Sequence, residues 1–137
     1  MASGQGNALK ATHPVELLAW AIATQEGFFT PGTIPALRHN PGDIRYASQL
    51  NASAPGWDGK QPAPIATFKG DKEGITGLYR QLWLQVATGQ TVRQIIGQWA
   101  PPNENNTSAY LANVLKWTGL PADTPVLQLL PNLQKLS

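Results

Sequence analysis

The sequence predicts a mostly helical α+β fold. Apolar residues recur at helical spacing in several segments, and a long segment rich in Gly and Pro follows the first of them. Two short runs with strand character lie in or beside that segment, which indicates a small β element of two or three strands. The length of 137 residues fits one domain over 1–137, with disorder of residues 1–12 as an open possibility.

The first helix is predicted to start near His13 or Pro14 and to stop at Gly27. Proline suits the first helical position, and Glu16 favours the positive end of the helix dipole. The residues between these limits are apolar on nearly all sides, which is typical of a helix buried in the middle of a domain.

An irregular segment is predicted from Gly27 to Pro64. The sequence Asn-Pro-Gly-Asp at residues 40–43 is a strong turn signal, and residues 44–46 after it have strand character. Residues 64–68 alternate as a second strand. Irregular segments of this length are usually functional or disordered.

Three further helices are predicted in the second half of the chain, with a last turn at residues 125–130. Asp71 caps the first of them, which ends at Gly89, and Thr91 caps the second, which Pro101 and Pro102 end. Asn106 or Thr107 begins the third, which runs to Gly119. Four tryptophans fall in helical apolar patterns and are expected in the core: Trp20, Trp83, Trp99 and Trp117.

Composition excludes several classes of function. Ten Lys and Arg against eight Asp and Glu leave a net charge of +2, too little for an electrostatic nucleic-acid binder. The absence of cysteine excludes disulfides and thiol nucleophiles, and the longest apolar run is far too short to span a membrane. His13 and His39 lack partners at metal-ligand spacing, so neither a metal nor a cofactor is expected. No phosphate loop or Gly-x-Ser-x-Gly motif is present.

Glu26 is the leading candidate for catalysis. It ends the predicted buried helix, directly before Gly27 and two phenylalanines, Phe28 and Phe29. The negative end of the helix dipole and apolar neighbours both favour the protonated carboxyl, as a general acid requires. The alternative is that Glu26 faces solvent or pairs with Arg38 or Arg45.

Several blocks of the chain resemble the lysozyme-like lytic transglycosylases that are common in phages and prophages. The blocks are residues 22–28, 38–45, 68, 74–75, 91–96 and 99–110, in the same order as in that family. They span roughly residues 14–120, most of the chain.

The resemblance implies a lysozyme-like fold in which Glu26 is the catalytic acid and Asn40, Gly42, Asp43 and Arg45 belong to a turn and small sheet beside the glycan. His39 stands where the family more often has asparagine, and Asp43 replaces a second asparagine. The family pattern therefore does not explain the Asp43 carboxylate, which leaves a hydrolytic role possible.

The same resemblance makes Glu104, Asn105 and Tyr110 candidates for lining the cleft. Tyr110 would contact sugar or orient Glu26, and Asn105 would hold an N-acetyl group. The alternative is structural, because Glu104 and Asn105 precede a helix that they could cap and Tyr110 could fill the core. Trp57, in a polar loop, is a candidate for stacking on a sugar ring.

The expected activity is cleavage of peptidoglycan between N-acetylmuramic acid and N-acetylglucosamine, with a 1,6-anhydro product. A hydrolase would need a second carboxylate, for which Asp43, Asp58 and Glu104 are candidates. A non-catalytic virion or wall-binding module and a helical interaction domain are the competing hypotheses. We expect a monomer that acts on the cell wall, in the periplasm, outside the cell or on a virion, without nucleic-acid or membrane partners. Residues 1–12 do not resemble a secretory leader, so another export route is expected, or a leader that this sequence lacks.

Overall fold

A computed structural model describes residues 13–103 and 106–131. The predicted disorder of residues 1–12 lies outside this part of the chain. Contacts group the chain into two compact units: the central unit is Ala19–Leu82, and the terminal unit is Met1–Leu18 with Trp83–Ser137. The single-domain organisation stays a prediction.

Six helices and two short strands lie in the described residues. The helices are α1 (Pro14–Glu26), α2 (Ile34–Leu37), α3 (Asp71–Ala87), α4 (Val92–Trp99), α5 (Thr107–Thr118) and α6 (Val126–Leu129), and the strands are β1 (Ala52–Ser53) and β2 (Thr67–Phe68). About half of the described residues are helical. The mostly helical α+β prediction is confirmed at this level.

Helix α1 begins where the sequence predicts. The Nδ1 atom of His13 accepts a hydrogen bond from the Val15 N–H at 3.1 Å, so the imidazole caps the first turn. Pro14 holds the first helical position, where its missing N–H costs nothing. The predicted start at His13 or Pro14 is therefore correct.

A small antiparallel sheet lies in the central unit. Ala52 pairs with Phe68 and Ser53 with Thr67. Beyond this ladder, Arg45 forms a single antiparallel bridge with Ile65, supported by a bond from the Tyr46 N–H to Pro64 O at 2.8 Å. The two predicted strand segments therefore pair with each other, whereas β1 was not predicted.

The terminal unit is built on capped helices. Thr91 and Gln94 form a capping box at the start of α4, and Gly119 ends α5 in the left-handed conformation. Helix α4 packs against α5. Arg93 binds Asp123 through two hydrogen bonds of 2.7 and 3.1 Å, which ties α4 to the segment before α6.

Each unit buries its own apolar side chains. In the central unit the fully buried residues include Ile22, Ala66, Phe68, Leu78 and Leu82. In the terminal unit they include Val15, Leu18, Val86, Val92, Ile95, Ile96, Val114 and Val126. Among the described residues, no helix is both long and apolar enough to cross a bilayer.

The core prediction is wrong for two of the four tryptophans, Trp20 and Trp83, and the other two, Trp99 and Trp117, are only partly buried. Trp20 is 47% exposed and Trp83 is 42% exposed. Trp20 lies four residues after the exposed Glu16 and so shares its face of α1, while Trp83 follows the exposed Arg80 by three residues on α3. A charged residue one turn earlier marks the solvent face even where the surrounding run is apolar.

Candidate functional site

Glu26 lies at the end of α1, where two backbone hydrogen bonds terminate the helix. The Gly27 N–H donates to Thr24 O at 3.1 Å and the Phe28 N–H donates to Ala23 O at 3.0 Å, the pattern of a Schellman motif. Gly27 has φ +85°, a conformation that glycine adopts without strain. Glu26 is therefore the last helical residue at a fixed position, as predicted, and its side chain is partly buried.

The chain after Gly27 is fixed as well. The Thr33 hydroxyl donates to Gly27 O at 2.7 Å and accepts from the Ala36 N–H, so one side chain joins the end of α1 to the start of α2. Phe28 and Phe29 meet edge to face at 5.3 Å, and Phe29 is 60% exposed. The segment after Glu26 thus presents an aromatic surface.

Asn40 is fully buried and organises the predicted turn. Its Nδ2 donates to Ile44 O and to Ala66 O, both at 2.9 Å, and its Oδ1 accepts from the Ile44 N–H at 3.1 Å. The side chain therefore closes the turn and attaches it to the segment before β2. Its predicted contact with substrate stays a prediction.

Asp43 combines a left-handed backbone conformation with a partly buried carboxylate. Its backbone has φ +50°, and its Oδ1 is buried without a hydrogen-bond donor. Burial raises the pKa of Asp43 above its ordinary value, while the nearby charges of Arg38 and Arg45 act in the opposite direction. The carboxyl is thus held in a site that solvates its charge incompletely.

The two arginines beside Asp43 are anchored to the segment that precedes β2. Arg38 Nη1 donates to Ile65 O at 2.9 Å, and Arg45 Nη1 donates to Ala63 O at 2.6 Å. Each guanidinium carries five donor hydrogens, so these bonds fix the two cations and leave further donors on each. Arg45 was a predicted site residue, whereas the role of Arg38 was not predicted.

A glycine of α3 lets that helix approach the turn. A Cβ at Gly74 would lie 1.7 Å from the carbonyl oxygen of His39 and 2.9 Å from Pro41 Cδ. His39 itself has φ +51° and its Nδ1 lies 2.8 Å from Asp71 Oδ1 at the start of α3. Gly74 belongs to the family-like blocks, and this close approach is a physical reason for glycine there.

The predicted site residues divide between the two units. Glu26, Asn40, Gly42, Asp43 and Arg45 all belong to the central unit, and Gly42 is buried. Tyr110 is buried, at 5% exposure, in α5 of the terminal unit. The predictions for Glu104 and Asn105 fall outside the described residues.

The central unit offers acid–base chemistry. It holds a carboxyl at a helix end and a second, poorly solvated carboxyl beside two cations, each fixed through its backbone. Asp58, the other candidate in this unit, is exposed, and its Oδ1 accepts from the Lys60 N–H at 2.9 Å. Within residues 13–103 and 106–131, no group of three or more His, Asp or Glu side chains is placed to hold a metal ion.

Two features of this region had only weak sequence signals. Arg38 lies five residues before Asp43, in a run with no periodicity that would predict their proximity. Tyr46 and Trp57 form an aromatic pair across the loop that precedes β2, and only the tryptophan was a candidate from sequence.

Comparisons of the chain with protein-family models, with curated proteins and with solved structures found no match.

Proposed function

We propose that this chain cleaves peptidoglycan glycan strands between N-acetylmuramic acid and N-acetylglucosamine, with Glu26 as general acid and base. The observation that carries the proposal is the fixed, partly buried position of Glu26 at the end of α1. The same compact unit holds the Asn40–Asp43 turn and the small sheet. These elements occur in the order of the lysozyme-like family that the sequence resembles, and we infer a lysozyme-like fold on that basis.

The first chemical step needs one proton. Glu26 donates it to the glycosidic oxygen, the bond from that oxygen to C1 of the muramic acid breaks, and the leaving sugar departs with a free hydroxyl. The carbonyl oxygen of the substrate's own N-acetyl group bonds to C1 and carries the positive charge as an oxazolinium ion. Only one protein carboxyl is required.

The second step returns the proton. The Glu26 carboxylate accepts it from the 6-hydroxyl of the muramic acid, and the 6-oxygen attacks C1 and opens the oxazolinium ring. The product is a 1,6-anhydro sugar, no water is consumed, and Glu26 is protonated again.

Analysis of released muropeptides by mass spectrometry tests the proposal. Purified protein is incubated with sacculi, and anhydro-muropeptides are the expected product. Glu26→Gln keeps the shape of the side chain but cannot donate the proton, so turnover should fall by at least about 100-fold. Glu16→Gln is the matched control, because Glu16 is an exposed glutamate at the other end of the same helix.

The control should release products at the rate of the unmutated protein. Equal losses for the two variants would show that the Gln substitution acts through helix stability and not through proton transfer. Absence of release by the unmutated protein, with retention on sacculi, would instead favour a wall-binding module.

A hydrolytic mechanism is the second candidate, and the environment of Asp43 favours it. Burial raises the pKa of the half-buried Asp43 carboxyl, so its carboxylate is a stronger base than an ordinary aspartate and suits the proton transfer from water that an inverting hydrolase needs. Products with reducing ends would support this route, and Asp43→Asn would then abolish turnover. Under the transglycosylase proposal, Asp43→Asn still yields anhydro products.

A further inference from the structure

Tyr46 and Trp57 form a fixed aromatic corner beside the small sheet. Their ring centroids lie 5.8 Å apart with an angle of 74° between the planes, and both side chains are partly exposed. Tyr46 follows Arg45 in the strand segment that pairs with residues 64–66. The aromatic corner therefore begins three residues after Asp43.

The loop that carries Trp57 is held by hydrogen bonds from both the backbone N–H and the indole N–H of this residue. The Trp57 N–H donates to Ala54 O at 3.1 Å, which closes a turn with Gly56 at φ +76°. The indole Nε1–H donates to Lys60 O at 2.7 Å. An Asx turn from Asp58 Oδ1 to the Lys60 N–H fixes the acceptor in its place.

The two aromatic rings are partly exposed in a fixed loop, which suits ligand binding better than packing in a core. The indole N–H already has its partner within the loop, so what Trp57 can offer to a ligand is its ring face. Because the loop is fixed in advance, binding would cost little ordering entropy. Arg45 and Asp58 are the sequence neighbours of Tyr46 and Trp57, the Lys60 carbonyl accepts the indole N–H, and all three residues are exposed, so their polar groups are candidates for binding sugar hydroxyls.

We propose that the aromatic corner binds a pyranose ring of the glycan strand. The C–H bonds of one sugar face would pack on the indole, and the ring hydroxyls would reach the polar neighbours. This inference rests on the proposed function for the identity of the glycan, and it adds a binding subsite formed by Tyr46 and Trp57.

Titration of the Glu26→Gln protein with tetra-N-acetylchitotetraose tests the subsite. The indole N–H signals of ¹⁵N-labelled protein are followed by NMR, since each tryptophan gives its own signal. The Trp57 signal is expected to shift with saturation. A saturable shift at other residues with an unchanged Trp57 signal overturns the inference, and so does the absence of any shift.

Affinity measurements on variants separate the ring contact from loop structure. Trp57→Ala should weaken binding about tenfold, equivalent to a loss of about 1.4 kcal/mol. Trp57→Phe keeps a ring and removes the bond to Lys60 O, and most of the affinity should survive. Trp83→Ala is the matched control, because Trp83 is an exposed tryptophan of the terminal unit. The Trp83→Ala variant should bind the oligosaccharide with unchanged affinity.

The outcomes distinguish this inference from the proposed function. If the unmutated protein cleaves sacculi but Trp57→Ala leaves both affinity and KM unchanged, the subsite is wrong and the catalytic proposal stands. If the Trp57 signal shifts with the oligosaccharide but no product is released, the subsite stands and the catalytic proposal fails. If the Trp57→Ala variant does not fold, the subsite is tested by the NMR shift of Trp57 in the Glu26→Gln protein and by the affinity of the Trp57→Phe variant.

Discussion

Two residues of the central turn have a backbone conformation that most side chains avoid. His39 and Asp43 have φ values of +51° and +50°. Asparagine, aspartate and histidine tolerate this region better than other non-glycine residues. Both residues stand where the resemblance would favour asparagine, and each belongs to a type that tolerates this backbone conformation.

Asp43→Asn is expected to stabilise the folded chain at neutral pH. Because burial raises the pKa of Asp43 in the fold above the ordinary value of 3.8, the folded state holds the proton more tightly than the unfolded state. The free energy of unfolding therefore falls as pH rises from 3.8 through the folded-state pKa and stays lowered above it. Asparagine cannot ionise, so the stability gain should appear at about pH 7 and vanish at about pH 3.

Urea unfolding at the two pH values measures this effect. Asp58→Asn is the matched control, because Asp58 is exposed and asparagine keeps the bond to the Lys60 N–H. The control should change the free energy of unfolding by less than about 0.5 kcal/mol at either pH. A gain for Asp43→Asn that persists at low pH would contradict incomplete solvation of the charge as its cause.

Asn40→Ala is expected to be among the most destabilising substitutions in the turn. It removes three hydrogen bonds and leaves the carbonyls of Ile44 and Ala66 without the Asn40 amide. Such a loss should lower the free energy of unfolding by about 3 kcal/mol, measured by urea denaturation. Asn103→Ala, at an exposed site, is the control; a cost for Asn40→Ala below about 1 kcal/mol would refute the organising role.

At the residue scale, the sequence indicated the turn but not how its polar groups are used. Asn-Pro-Gly-Asp predicts a reversal because each residue has a local preference for turn geometry. The bond from Asn40 to Ala66 O spans 26 positions, and the proximity of Asp43 to Arg38 depends on the folded loop. Such long-range partners leave no local pattern.

At the scale of elements, the helix limits were predicted well because their signals are local. Helix α4 begins at the capping box of Thr91 and Gln94, and α5 begins at Asn106 and ends at Gly119. Each of these signals acts within one helical turn. Helix α2 was missed because it is four residues long, too short for a periodic pattern. Strand β1 was missed because two residues of pairing depend on a partner 14 to 16 positions away.

Gly74→Ala is expected to separate α3 from the turn. The added Cβ would overlap the His39 carbonyl, which is backbone and cannot move aside alone. We expect a loss of about 2–3 kcal/mol in the free energy of unfolding, together with reduced turnover on sacculi. Gly97→Ala is the matched control, since α4 has open space there and alanine should stabilise the helix by about 0.5–1 kcal/mol.

The same Gly→Ala substitution should therefore lower the free energy of unfolding at position 74 and raise it at position 97. Thermal unfolding of both variants, with circular dichroism as the probe, compares them directly. If Gly74→Ala were neutral or stabilising, α3 could not lie as close to the turn as the structure places it.

At the scale of the whole molecule, the first half of the sequence was more informative about the site than the second half. The helix end, the turn and the first strand segment lie within 21 positions, Glu26 to Tyr46, and all fall in the central unit. The candidates of the second half are Tyr110, which is buried, and two residues outside the described part of the chain. Sequence spacing could not predict how contacts divide the chain into two units.

Under the proposed function, the sparse charge of the chain predicts which interactions would bind it to an anionic wall. Ten basic and eight acidic residues leave a net charge of +2, so long-range attraction supplies little of the affinity, and hydrogen bonds and aromatic contacts at short range must supply the rest. Retention of the Glu26→Gln protein on sacculi, measured by co-sedimentation, should therefore change less than about threefold between about 50 mM and about 500 mM salt. A lysine-rich peptide, run in parallel, should be released over the same range. A fall of about tenfold or more for the protein would mean that its few cations act together as a wall-binding patch, contrary to recognition through ring faces and fixed polar groups.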